Sequence, residues 1–227
     1  MKPTTFFRPL VLAALLASTF AAQAAITVYT SQAKFAEATS APGIDTYSDF
    51  LVTGSASGPL SRTAGIYDYT GETTSGGFYI AGSNDERWLS SFFDTDTITL
   101  RNFSAGVQAV GGNFFASSSA NALSDGEIAL RAEDSQGTVF RSVFDANTTS
   151  FIGFVSTGQM KSISFRAVPG LPSGGGEEET FPPSIFPTLD NLVLAQGAVA
   201  PIPEPETYAL MFAGLGLMAF VARRRRV

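Results

Sequence analysis

Residues 127–144 read EIALRAEDSQGTVFRSVF. Ile128 and Leu130 alternate with other residues, Asp134-Ser135-Gln136-Gly137 interrupts, and Val139, Arg141 and Val143 alternate again. Successive side chains of a strand point to opposite faces, so a period of two marks a strand with one face toward a core. The stretch therefore predicts strands at 127–132 and 138–144 with a turn between them.

The same pattern recurs in both directions, punctuated by Gly, Asn and Asp. It predicts further strands at 26–29, 44–50, 62–69, 77–81, 97–100, 107–115, 150–155, 161–168 and 188–195. Thr30 or Ser31 can cap a short helix over 32–38, with Phe35 as its apolar anchor. Many short strands and one short N-terminal helix predict an all-β fold, an antiparallel β-sandwich or jelly roll. The Pro- and Gly-rich stretch 168–187, with its three consecutive glutamates, reads as a long loop. No internal repeat is evident.

The two ends are of a different kind. Lys2 and Arg8 precede the apolar run 10–22, and Ala22-Gln23-Ala24 supplies a small-x-small cleavage site. That is the layout of a secretory signal peptide over 1–24. At the other end, 208–222 holds no charged residue and is followed by Arg223, Arg224, Arg225 and Arg226. An apolar-all-round run is not a surface helix, which would carry a polar face. Fifteen helical residues span only about 22 Å, short of a full hydrocarbon core unless Arg223 snorkels. A single transmembrane helix with a basic cytoplasmic tail over 207–227 is the expectation, and the arginine cluster places the body on the outer side. The signal peptide demands the same topology.

Pro203-Glu204-Pro205, the run Glu206-Thr207-Tyr208-Ala209-Leu210-Met211 with Ala213-Gly214-Leu215-Gly216-Leu217, and the four arginines together resemble the PEP-CTERM sorting signal. The resemblance covers about a tenth of the chain. It implies an exported protein of Gram-negative, exopolysaccharide-making bacteria, handled by an exosortase that cuts at or near Pro203, Glu204 and Pro205. On that reading the C-terminal helix holds the motif at the outer face of the inner membrane, and its prolines keep the backbone extended and unpaired. Less specifically, 109–115, 151–155 and 188–192 are similar to jelly-roll domains that often precede this signal. The organisation expected is signal peptide 1–24, sandwich 25–196, linker 197–206 and sorting helix with tail 207–227.

Composition narrows the function. The chain has neither Cys nor His, which removes the usual nucleophile–base pairs, thiolate or imidazole zinc sites and disulfides. Residues 25–203 carry eight basic and 18 acidic side chains, a net charge of −10. Such a surface disfavours nucleic acid and anionic lipid.

Asp45, in an early strand, and Asp190, beside Asn191 in the last, are candidates for a structural calcium, since hard oxygens suit that ion. The alternative is that Asp190 caps a turn by accepting from backbone amides. Asp94, Asp96 and the run Asn121 to Glu127 look superficially like calcium loops but lack the spacing, and read better as turn acids. Trp88, Tyr67, Tyr69 and Tyr79 suit either a sugar-stacking face or the core. No catalytic pair is identifiable among the acids. The function expected is a non-enzymatic, exosortase-sorted structural or glycan-contacting component of the cell surface or exopolysaccharide matrix. The alternatives are a secreted carbohydrate-active enzyme and a membrane-anchored periplasmic binding protein. The partners expected are an exosortase, the inner membrane and extracellular polysaccharide. No cofactor is required beyond the candidate calcium.

Overall fold

The computed structural model describes residues 26–50, 53–82, 86–119, 122–169, 184–198 and 214–215. Its strands are β1 (Ile26–Tyr29), β2 (Thr39–Asp45), β3 (Gly54–Ser57), β4 (Leu60–Ala64), β5 (Tyr67–Thr73), β6 (Gly77–Ala81), β7 (Trp88–Ser91) and β8 (Thr97–Arg101). They continue with β9 (Ala109–Ser118), β10 (Leu123–Ser124), β11 (Glu127–Asp134), β12 (Thr138–Val143), β13 (Phe151–Ser156), β14 (Met160–Val168) and β15 (Ile185–Gly197). One helix, α1 (Gln32–Glu37), follows β1, and Ser31 in extended conformation caps it by accepting from the Lys34 amide.

The strands form two antiparallel sheets. Sheet A runs β1-β13-β9-β15-β7-β6-β3, with β10 added to β9 and β2 to β15; sheet B runs β12-β11-β14-β8-β5-β4. Between them lies one apolar core holding Phe78, Leu89, Val110, Phe114, Leu189, Leu192 and Leu194 from sheet A and Ile98, Leu100, Ile128, Leu130, Ile163 and Phe165 from sheet B. Phe114 and Phe165 meet edge to face across the middle, ring centres 5.1 Å apart. This is a β-sandwich, the architecture to which a jelly roll belongs.

The quoted stretch forms β11 and β12, with Ile128 opposite Val143 and Ala132 opposite Val139. Buried Asp134 closes the turn by accepting from the amides of Gln136 (2.7 Å) and Gly137 (2.8 Å) and from the Ser156 hydroxyl. Arg141 shares the inward register of Leu130 but is exposed. It sits on an edge strand, where a charge of that kind discourages pairing with other chains.

Several expectations need correction. The strand expected at 44–50 ends at Asp45, because Tyr47 takes a left-handed φ of 57° and turns the chain; it begins instead at Thr39. Pro42 lies there beside a bulge on an added strand, where its missing N–H costs no ladder bond. The strand expected at 62–69 is a hairpin, β4 and β5, with Ala64 opposite Tyr67 and Gly65-Ile66 as the loop. β3, β7 and β10 were not anticipated. The last strand starts at Ile185, three residues early, and runs to Gly197, the first residue of the expected linker.

The outer face of sheet A carries α1. Phe35 packs against Phe151 (ring centres 5.2 Å apart) and Tyr29 (6.3 Å). It lies on a floor of two glycines: a Cβ on Gly153 would stand 2.2 Å from Phe35 Cδ2, and one on Gly111 would stand 3.2 Å from Phe35 Cζ. Those positions exclude larger residues by sterics, not by backbone conformation.

The expected signal peptide (1–24) and linker motif, and all of the expected membrane helix but Gly214-Leu215, lie outside the described residues. Those two residues are helical. Among the described residues no helix is long and apolar enough to cross a membrane.

Candidate functional site

Where β2 ends and β4 and β5 pass beneath it, a guanidinium is clamped between two carboxylates. Arg62 donates from Nε to Asp45 Oδ2 (2.9 Å) and from Nη2 to Asp45 Oδ1 (2.7 Å). It also donates from Nη1 and Nη2 to Asp49, at 2.9 and 2.7 Å. Its Cζ lies 4.6 Å from the Phe50 ring centre and 5.3 Å from that of Tyr47, a cation over two π faces. Tyr69 donates to Asp45 Oδ2 (2.7 Å) and lies 3.3 Å from the Tyr47 hydroxyl, while the Tyr47 amide donates to Asp45 Oδ1.

Electrostatics follow from burial. The Asp45 side chain is 4% exposed and that of Arg62 11%, against 67% for Asp49. Hydrogen bonds from Arg62 hold the Asp49 carboxyl below its usual range. Burial, with the charge of Asp45 adding, pushes the Tyr69 phenol well above its ordinary value, and burial does the same to Tyr47. Burial opposes the charge of Arg62, yet its two carboxylates more than restore it. Both phenols and the guanidinium thus keep their protons at any physiological pH. A carboxylate offers about four lone-pair sites, and Asp45 meets four protein donors. A cleft of about 400 Å³, lined by Ile44, Thr46, Ser48, Ser61 and Thr63 among others, opens beside the clamp.

Asp190, the other calcium candidate, lies in mid-strand. Up to Leu189, β15 pairs with β7 on one side; from Leu192 it pairs with β2. The change of neighbour coincides with a register shift against β9 between Asp190 and Val193, where Asn191 takes a left-handed φ of 50°. Such a bulge reverses which side chains face inward: Leu189 before it and Leu192 and Leu194 after it all join the core. Asp190 stabilises the bulge by accepting from the Asn191 amide (2.7 Å) and from Asn191 Nδ2 (2.8 Å), the backbone-capping role weighed against calcium. Burial, with a smaller push from Glu86, raises its carboxyl from near 3.8 to about 6. Among the described residues no cluster of three or more carboxylates is placed to hold a metal. Asp45 and Asp190 are thus on neighbouring strands, each engaged with its own protein donors.

The aromatic candidates divide. Tyr67 and Tyr69 belong to the core, and Tyr67 donates to the Ala41 carbonyl at 2.8 Å. Trp88 packs edge to face on Phe115 at 5.1 Å on the outer side of sheet A. Tyr79, half-buried on the same face, lines a cavity of about 220 Å³ with Phe92, Phe186, Ser90, Ser117 and Ser119 among its other walls. Beneath it runs a row of buried hydroxyls across three strands. Thr188 Oγ1 lies 2.7 Å from Ser117 Oγ and donates to Ser90 Oγ at 3.1 Å, with the Phe186 carbonyl also at 3.1 Å. Ser90 in turn donates to the Pro187 carbonyl at 3.2 Å. Because Thr188 has one proton to give, Ser117 is the donor to Thr188.

Phe92 is also a wall of a second cleft, about 240 Å³, bounded by Ser55, Ser57, Ser75, Gly76 and Phe93. The Phe92–Phe93 pair is edge to face at 5.1 Å. The loop that carries it is pinned by buried Asp96, which accepts from the Ser75 amide (3.0 Å), the Ser75 hydroxyl (2.7 Å) and the Phe93 amide (3.2 Å). Asp96 is thus a turn acid, as read from sequence. Neither the hydroxyl row nor the clamp was found beforehand. Arg62 and Asp45 are 17 positions apart, and isolated serines carry no pattern.

Pro203, Glu204, Pro205 and Arg223 to Arg226 lie outside the described residues. Residues 201–226 match the family model of the PEP-CTERM protein-sorting motif. No curated protein and no solved structure matches the chain.

Proposed function

We propose that this PEP-CTERM protein is a non-enzymatic component of the cell surface or exopolysaccharide matrix, in which the sandwich contacts glycans or serves as structural material. The observation that carries the reading is the sorting motif at 201–226, a signal of exported proteins processed by an exosortase at the membrane, following a sandwich with its own complete core. Three further features support the role outside the membrane. The body is strongly acidic and contains no Cys or His, which suits a soluble domain free of thiol and imidazole chemistry. Its acids near the candidate sites are occupied structurally: Asp45 and Asp49 by Arg62, Asp96 by a loop, Asp190 by a bulge. Its outer clefts combine aromatic rings with serines, a combination suited to binding and not to proton transfer.

Intact-mass analysis of the protein from its native host, with and without the exosortase, tests the processing. Loss of the tail near Pro203 to Pro205 only when the enzyme is present is the expected result. Full-length protein in both strains would overturn it. Sedimentation of the processed protein with the host's extracellular polysaccharide, without release of shorter sugars, is the expected signature of the matrix role.

A further inference from the structure

We infer that the two clefts flanking Phe92 form a binding site for a neutral oligosaccharide, with one sugar ring on each side of the Phe92 ring. The inference rests on the glycan-contacting reading above and assigns it a place and a ligand class.

The argument begins with exposure. Phe92 and Phe93 are 48% and 51% exposed, side by side on one loop. Large apolar rings left together in water on a folded surface mark a contact site more often than an accident of packing. The loop does not yield to hide them, because three donors fix it to buried Asp96. Rings held in place before binding lose little freedom when a ligand arrives, which is the condition for useful affinity from a small contact.

Size comes next. The cavities, about 220 and 240 Å³, each fall below the roughly 300–1,000 Å³ of a drug-sized ligand site. Each therefore takes a single ring, and Phe92, common to both, separates two rings of one chain.

Chemistry then selects the class. None of the described residues that line either cleft carries a charge, so nothing there would compensate a bound carboxylate, phosphate or ammonium group. The acidic body repels anionic polymers further. The floor is polar but neutral. The protons of Ser117, Thr188 and Ser90 are spent within the row, that of Ser91 goes to the Phe93 carbonyl (2.7 Å), and that of Ser75 goes to Asp96. Exposed hydroxyls stand at the rims: Ser55, Ser57, Ser75 and Ser119. The oxygen of Ser75, its proton committed, is left as an acceptor for a ligand hydroxyl. A pyranose presents C–H faces to rings and hydroxyls around its edge, which is the complement of aromatic walls and serine rims.

The test uses the full chain in a detergent without a sugar headgroup. It is titrated calorimetrically with neutral hexasaccharides (β-1,4-glucan, α-1,4-glucan, β-1,4-mannan and neutral fragments of the host's polymer) and with an oligouronate of equal length. Trp88, the single tryptophan, packs beside Tyr79 and Ala81 and supplies a fluorescence readout. We expect at least one neutral hexasaccharide to bind. Phe92→Ala is expected to weaken it at least about tenfold, in line with the loss of the ring on which both sugars stack. Phe140→Ala, an exposed ring on sheet B, serves as the control and should change nothing. Binding of the oligouronate alone, neutral binding untouched by Phe92→Ala, or no binding across the panel would each overturn the inference. Retention on the host's polymer separates the two readings. If the wild type and Phe92→Ala are retained equally, glycan contact stands and this site falls. If the wild type is not retained, the matrix reading falls as well.

Discussion

At the mouth of β4 a guanidinium is gripped by two carboxylates and two aromatic faces; on the outer side of sheet A three hydroxyls bridge three strands with no charge at all. Both groups cross-link different elements, and both have a buried centre: Asp45 and Arg62 in the one, Ser90, Ser117 and Thr188 in the other. They differ in what remains for anything else. In the charged cluster the Arg62 donors and the buried Asp45 are engaged with groups of the protein, so the cluster acts as a rivet between β2, β4 and β5. The neutral row opens upward into a cavity walled by rings. Charge in a protein interior demands full compensation, whereas a neutral hydroxyl costs little when half-satisfied. Structural and receptive roles are divided along that line here.

The largest effect should come from breaking the charged cluster on one side only. Arg62→Ala leaves Asp45 buried without its bidentate partner, and we expect a loss of about 3–5 kcal/mol in urea unfolding. Asp45→Leu with Arg62→Met removes both charges and should recover much of that loss. If the double variant is no better than the single, the cluster is not a simple compensated pair.

A smaller, pH-dependent effect should separate the acids by sign. Asp190 titrates near 6 when folded, above its ordinary value near 3.8, so the folded chain holds the extra proton across that interval. Stability therefore falls as pH rises from about 4 to 6 and is level above. The size is about 1–2 kcal/mol, once solvent screening of a half-buried group is allowed for. Asp190→Asn should flatten that slope in thermal melts taken across the interval. Asp49, with its carboxyl lowered by Arg62, works in the opposite sense: its stabilisation is present above the ordinary carboxylate range and is lost as pH falls through the lowered value.

A change no larger is predicted at the neutral row. Thr188→Val keeps the shape, deprives Ser117 of its acceptor and Ser90 of its donor, and should cost about 1–2 kcal/mol in the same urea assay. A cost as large as that of Arg62→Ala would erase the distinction between the two groups.

Alternation made most of the sandwich readable in advance. β1 and β6 fall on their expected bounds, and β11, β13 and β14 within two residues. Each of these carries apolar residues in or against the core at alternate positions, Ile152 and Phe154 in β13 among them. β7 shows why others were missed. Trp88-Leu89-Ser90-Ser91 is buried on both faces, since its outer side packs on Phe115 and the hydroxyl row, so no period of two is visible. β3, Gly-Ser-Ala-Ser, has no bulky residue with which to show one. The hairpin of β4 and β5 was fused because its two-residue loop is too short to separate the runs, although the core-facing positions change from even (Leu60, Ala64) to odd (Tyr67, Tyr69) across it. Of the candidate site, Tyr79 was legible as an aromatic of undecided face. Phe92 and Ser117 were not, because their neighbourhood is made by strand order, which no local pattern encodes.

The placement of β15 has a consequence for where the clefts end up. Thirteen residues of strand cover roughly 40 Å, with Phe186 and Thr188 at one end and Gly197 at the other. From Gly197 to Pro203 the covalent leash is at most about 20 Å. On the proposed sorting by an exosortase, the Gly197 pole of the sandwich would be moored close to the lipid while the enzyme grips the motif. The opposite pole, with its paired phenylalanines, would then be held outward like a lamp on a short post, toward the proposed polymer, before the tether is cut.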